Sequence, residues 1–164
     1  MSVADVLPSA RHHVESRQSP IGKGPKMPIL RSSNRKTNVQ PPANFVGTVF
    51  SDEVVAGKAP SRMRASVVSF TPGGRTNWHS HPVGQTLYCL SGAGRVQFEG
   101  EQVQEIRAGD TVIIPPDVRH WHGAAPDKLF AHLAMSETSD KGEGTAWFEQ
   151  VSDADYTAAP APVN

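Results

Sequence analysis

From Phe45 onward, short runs of apolar and β-branched residues alternate with Gly, Pro and Asp punctuation. That rhythm predicts an all-β sandwich or barrel. The expected strands are Phe45–Phe50, Arg64–Thr71, Gly74–His79, Thr86–Ser91, Gly94–Phe98, Glu101–Ile106, Thr111–Ile114, His120–Gly123 and Leu129–Met135. Between them lie turn signals: Pro72-Gly73-Gly74, Ser91-Gly92-Ala93-Gly94, Glu99-Gly100-Glu101, Ala108-Gly109-Asp110 and Pro115-Pro116-Asp117. Asp110 reads as a structural turn residue. Only Ala146–Tyr156 predicts a short helix, with Ser152 or Asp153 as its cap. Many short antiparallel strands favour closure or two packed sheets, since either disposes of exposed edges.

The first forty residues carry no apolar period and are rich in Pro, Ser, Gly and Asn, which predicts an extended arm. The chain is therefore expected to divide into an arm over 1–40, one barrel domain over 41–158 and a tail over 159–164. Charge sharpens the division. The 164 residues hold 16 basic and 16 acidic side chains. Seven of the basic ones (Arg11, Arg17, Lys23, Lys26, Arg31, Arg35, Lys36) fall in the arm against only Asp5 and Glu15, so the arm is +5 and the rest −5. Such an arm suits packing across the negative body of a partner subunit.

A neutral chain offers no footprint for a nucleic-acid partner held by phosphate neutralisation. One cysteine excludes an internal disulfide framework and a Cys-cluster zinc site. No stretch approaches the ~20 apolar residues of a membrane span. Met1–Pro8 has neither the basic leader nor the apolar core of a signal peptide. These features predict a cytoplasmic protein with no membrane partner.

The chemistry lies in the histidines. His79-Ser80-His81 sets two imidazoles at i and i+2, on one face of a strand, and His120-Trp121-His122 repeats the arrangement. Gln85 follows four residues after His81 and can return to the same space; His132 lies in the last strand. By parity Trp78 and Trp121 face away, and Trp121 serves packing. Arg119 is expected to be exposed by default, with pairing to a carboxylate on the rim as the alternative. Imidazole suits Zn, Cu, Fe and Ni, so spacing alone leaves the metal open.

Two longer patterns carry a resemblance. Gly73-x5-His79-x-His81-x3-Gln85-x6-Gly92 follows the first cupin motif, and Gly109-x5-Pro115-x-Asp117-x2-His120 follows the second. Asp117 stands where Gly is usual, and Ala124 where Asn often falls. The resemblance implies a cupin jelly roll, with His79, His81, Gln85 and His120 as metal ligands. The wording Thr76–Leu87, Arg119–Pro126 and His132–Ala134 narrows it to the bacterial cupin hydroxynitrile lyases, small manganese-dependent cupins with a three-His, one-Gln site. Residues 1–40 lie outside this resemblance.

The resemblance implies Mn, with Fe, Ni, Co and Zn as alternatives, and a small-molecule substrate. It also implies a homo-oligomer, dimer or tetramer. Gln85, where cupins usually have Glu, leaves a divalent ion its full charge and favours Lewis-acid chemistry over oxidation by O₂. The implied reaction is cleavage or formation of cyanohydrins, with nitroaldols open to the same chemistry. His122 or His132 would serve as base, on the expectation that a neutral His titrates near working pH. Orientation of the ligands is the other role open to His122. Ser66, Val68, Phe70, Leu87 and Cys89 alternate toward the interior and are expected to wall the substrate pocket. Two alternatives remain: an Fe(II)-dependent oxidoreductase of the dioxygenase type, and a non-catalytic metal-binding cupin.

Overall fold

The computed structural model describes residues 28–162. After a short 3-10 turn at Ser32–Asn34 come β1 (Thr37–Val39), β2 (Phe45–Val46), β3 (Val49–Ala56), β4 (Met63–Phe70), β5 (Arg75–Thr76), β6 (His79–Ser80) and β7 (Gln85–Phe98). Then follow β8 (Gln104–Arg107), β9 (Thr111–Ile114), β10 (His120–Ala124), β11 (Phe130–Glu137), β12 (Ala146–Trp147) and α1 (Asp153–Thr157), the one α-helix among the described residues. Every strand pairing is antiparallel. The sheet runs β1-β3-β4-β11-β7-β10-β5-β2 and curls into a half-barrel, with β8 and β9 attached to β7 and with β6 joining β10 to β12.

The expected strands are present, with four differences. Ser91-Gly92-Ala93-Gly94 is no turn: β7 runs through it. Its first half pairs with β11 and β9, its second with β10 and β8, so β7 passes from one layer of the barrel to the other. The glycines serve close approach at that corner. Gly92 has φ +77°, and a Cβ there would strike the Leu129 carbonyl. Gly74–His79 is interrupted and survives as β5 and β6. Phe45–Phe50 divides, and its second part continues to Ala56. The helix is shorter than expected, because Ala146–Trp147 pair with β6 as a strand. Ser152 caps it, accepting from Asp155 N at 3.0 Å. Thr37–Val39, from the end of the expected arm, pair with β3, and Ala161 of the expected tail donates to the Val103 carbonyl at 2.8 Å.

Two apolar clusters hold the layers. Val49, Phe70, Cys89, Val96, Ile106, Ala124 and Phe130 fill the interior, with Phe45, Val68, Phe98 and Val112 packed against them. Trp78, Val103, Trp121, Val151 and Tyr156 form a second cluster, the packing role expected for Trp121, in which Trp78 joins it. The C-terminal segment covers it. Tyr156 Oη donates to the Ala124 carbonyl at 2.8 Å, and the Arg75 guanidinium lies 4.4 Å from the Tyr156 ring. Arg75, itself buried, donates to the Val151 carbonyl at 3.2 Å and to Asp153 at 2.7 Å. Among the described residues no helix is long and apolar enough to cross a membrane.

Candidate metal centre

Five of the chain's seven histidines, His79, His81, His120, His122 and His132, are buried, each at most 5% exposed. Three strands bring them together. Antiparallel register sets His79 on β6 opposite His120 on β10, and β11 carries His132 in from the facing layer. His79 lies 4.1 Å from His120 and 5.3 Å from His81, ring centre to ring centre, and His81 lies 5.8 Å from His120. Gln85 Oε1 is 3.2 Å from His120 Nε2.

Backbone carbonyls fix two of these rings. His79 Nδ1 faces the Asn77 carbonyl at 3.0 Å, and His120 Nδ1 faces that of Val118 at 2.8 Å. A carbonyl only accepts, so each Nδ1 carries the proton and each Nε2 a lone pair. His120 Nε2 therefore has no hydrogen to give Gln85 Oε1. Two acceptors face each other at hydrogen-bond distance. Nε2 of His81 and of His122 are also buried without a partner. Buried nitrogens without a hydrogen-bond partner fit a cation, and imidazoles suit a divalent metal.

Burial keeps the donors neutral. Desolvation lowers His81 and His120 to about 4, the Coulomb effect of His120 adding to the shift at His81. Desolvation, reinforced by neighbouring histidines, holds His79 and His122 well below their ordinary value. His132 is lowered by desolvation to about 3. The expectation that His122 and His132 titrate near working pH is thus corrected: with no anion beside them, burial keeps both unprotonated.

The tight group differs from the expected ligand set: ligand nitrogens of His79, His120 and His122 all lie within 4.8 Å of one another, with His122 among them and His81 not. His122 Nδ1 in turn lies 3.1 Å from His132 Nε2, and Phe70 packs on both rings at 5.8 and 5.5 Å. Of the residues expected to wall a pocket, Phe70 and Cys89 belong to the interior cluster and Val68 packs on it. Leu87 is fully buried, and Ser66 is half-buried. Burial pushes the Cys89 thiol up to about 11, so it is inert.

A cavity of about 610 Å³ opens between β8 and β9, floored by Val96, Phe98, Ile106 and Val112. Val96 and Phe98 pair with His122 and His120, so two of its lining residues neighbour the histidines, although no histidine lines the cavity itself. Two neighbours of the site escaped the sequence pattern. Trp147 lies 4.9 Å from the His79 ring, and the Thr76 hydroxyl accepts from His122 N at 3.1 Å. Trp147 sits in the segment expected to be helical, and only its pairing with His79 brings it here. Arg119 takes the alternative rather than the exposed default: three-quarters buried, it pairs with Glu99 at 2.9 Å and Glu149 at 2.5 Å, and lies over Phe148. Asp110 does hold its turn, accepting from Arg107 N at 2.6 Å. Asp117 has φ +61°, the backbone conformation that favours Gly there and that Asp tolerates.

Residues 66–135 match the family model described as "Cupin domain". Over 130 residues the chain is 42% identical to an (R)-mandelonitrile lyase of Granulicella tundricola, covering 79% of this chain and 98% of that protein. A cupin-like protein of Thermotoga maritima superposes with TM-score 0.68 at 35% identity, over 72% of this chain and 89% of that one. The polyketide cyclase RemF of Streptomyces resistomycificus shares the fold, with TM-score 0.63 at 15% identity over 80% and 91% of the two chains.

Proposed function

The chain belongs to the cupin family, and from that premise we propose that it is a metal-dependent lyase of the hydroxynitrile type, cleaving and forming cyanohydrins. The observation that carries the proposal is the facing pair of acceptors, His120 Nε2 and Gln85 Oε1, in a buried donor set with no negative charge. The 42% identity to a mandelonitrile lyase supports the choice of reaction.

His79, His81, Gln85 and His120 would hold the ion, with Mn our first choice. A divalent metal held by neutral ligands supplies Lewis acidity that lowers the pKa of a substrate hydroxyl. His122 and His132 then manage the proton. We assign the hydrogen between them to His122 Nδ1, donated to His132 Nε2; this leaves a lone pair on His122 Nε2, facing the other histidines. Nε2 takes the hydroxyl proton, the bond to the nitrile carbon breaks, and its electron pair leaves with cyanide. The remaining carbons form an aldehyde or ketone. Returning the proton from His122 to cyanide releases HCN and restores the neutral ring. His132 holds the His122 ring in place throughout. Burial makes His122 a weak base, so it accepts a proton only from a hydroxyl made strongly acidic. Phe70, Val68, Leu87 and Cys89 close the back of the site, with Ser66 nearer its mouth.

Elemental analysis of purified protein, paired with cyanide release from mandelonitrile, tests this. Stoichiometric metal with cyanide release is expected. Metal without cyanide release overturns the reaction, and a protein that takes up no metal overturns the mechanism.

A further inference from the structure

The inner face of the sheet continues past the histidines. Along β4, Phe70, Val68, Ser66 and Arg64 share the face that carries His132 on the neighbouring strand, with Arg64 at the exposed end of the row. Register sets Val68 opposite His132, Ser66 opposite Ala134 and Arg64 opposite Ser136. On the other side of β11, Ser136 is paired with Gln85. Gln85, Ser136 and Arg64 thus form one row across three adjacent strands. Two strand spacings separate the ends of that row, about 10 Å between Cα atoms. An arginine side chain spans much of that distance.

Arg64 lines a cavity of about 330 Å³ together with Ser136, Thr138, Thr145, Trp147 and Glu137. Trp147 joins this cavity to the metal centre, since its ring lies 4.9 Å from His79. Among the described residues no carboxylate lies within ion-pair distance of Arg64, whereas its neighbour Arg62 is tied to Glu137 and Asp140. The guanidinium keeps its forked donors open beside three hydroxyls. That is the arrangement that recognises a carboxylate. One carboxylate, Glu137, lines the same cavity, but Arg62 pairs with it at 3.7 Å, and Ser136 and Gln85 in the row are uncharged.

We infer that this cavity binds a carboxylate carried by the substrate, and that Arg64 sets specificity for hydroxy compounds with an anionic group remote from the reacting hydroxyl. The hydroxyl reaches the histidines while the carboxylate meets Arg64 at the mouth. Only the identity of the substrate as a cyanohydrin rests on the lyase reading. The carboxylate site rests on register and cavity.

The experiment uses the full-length, Mn-loaded protein and two probes, 4-(hydroxymethyl)benzoate and its neutral amide, with binding measured by calorimetry. Wild type is expected to bind the benzoate about tenfold or more tightly than the amide. Arg64→Gln should abolish that preference while binding the amide unchanged, and Arg64→Lys should keep part of it. Arg64 is exposed, so the replacements are expected to fold, which thermal melting checks. In parallel, kcat/KM for the cyanohydrin of 4-formylbenzoate, relative to that of benzaldehyde, should fall in Arg64→Gln by a similar factor. Equal binding of both probes by wild type, or a preference that survives Arg64→Gln, overturns the inference. An Arg64-dependent preference without cyanide release from either cyanohydrin leaves the carboxylate site standing and overturns the lyase reading instead.

Discussion

His120 and Gln85 face each other across 3.2 Å with a lone pair on each side, because the Val118 carbonyl already holds the only proton of the neutral His120 ring. Two acceptors remain at that distance only if something positive lies between them or the amide turns its NH₂ inward. A divalent ion held there would be the first of these, and the neutrality of Gln85 would distinguish it from a Glu-containing site.

Gln85→Glu should therefore bind metal more tightly and react more slowly, since the added negative charge offsets part of the ion's charge. Metal retained after chelator dialysis should rise, and kcat for cyanide release should fall. Unchanged metal retention would show that Gln85 is not a ligand.

His122→Ala should lower kcat about a hundredfold or more with metal content unchanged, the loss expected for a general base. The tight group of His79, His120 and His122 gives the experiment its edge. If His122→Ala loses its metal, the ring is a ligand and the base lies elsewhere.

Stability should fall in acid. At neutral pH the five buried imidazoles are uncharged, folded or unfolded. Below about pH 6.5 the unfolded chain takes up protons, while the folded chain does not until about pH 4 at His81 and His120 and about pH 3 at His132. The unfolded state binds more protons throughout that window, so acid favours it. Urea midpoints of metal-free protein should drop steadily from pH 6.5 toward 4, and His132→Phe should flatten the slope.

Gly92→Ala should destabilise the fold by on the order of 3 kcal/mol, because it adds both a strained φ and a collision with the Leu129 carbonyl. Urea denaturation measures it. A cost below 1 kcal/mol would mean that the corner of β7 yields easily.

Tyr156→Phe should cost about 1–2 kcal/mol by leaving the buried Ala124 carbonyl without its donor. Equilibrium unfolding checks this. Cyanide release per folded molecule should not change.

Local patterns determined much of this protein by themselves. Strand parity set His79 with His81 and His120 with His122, because side chains two apart on a strand share a face whatever the rest of the chain does. Turn chemistry marked Gly109 and Asp110, whose demands on φ and side-chain oxygen are local. Gly92 shows where such reasoning ends. A glycine needed for a tight turn and one needed for close approach look alike in sequence, and only the Leu129 carbonyl decides between them. Trp147 and Arg64 were equally hidden. Each owes its role to register between strands distant in the chain: Trp147 opposite His79, and Arg64 in one row with Ser136 and Gln85. The basicity of His122 and His132 was decided the same way. A pKa follows the solvent and charges around a ring, and those come from the packed layers of the barrel.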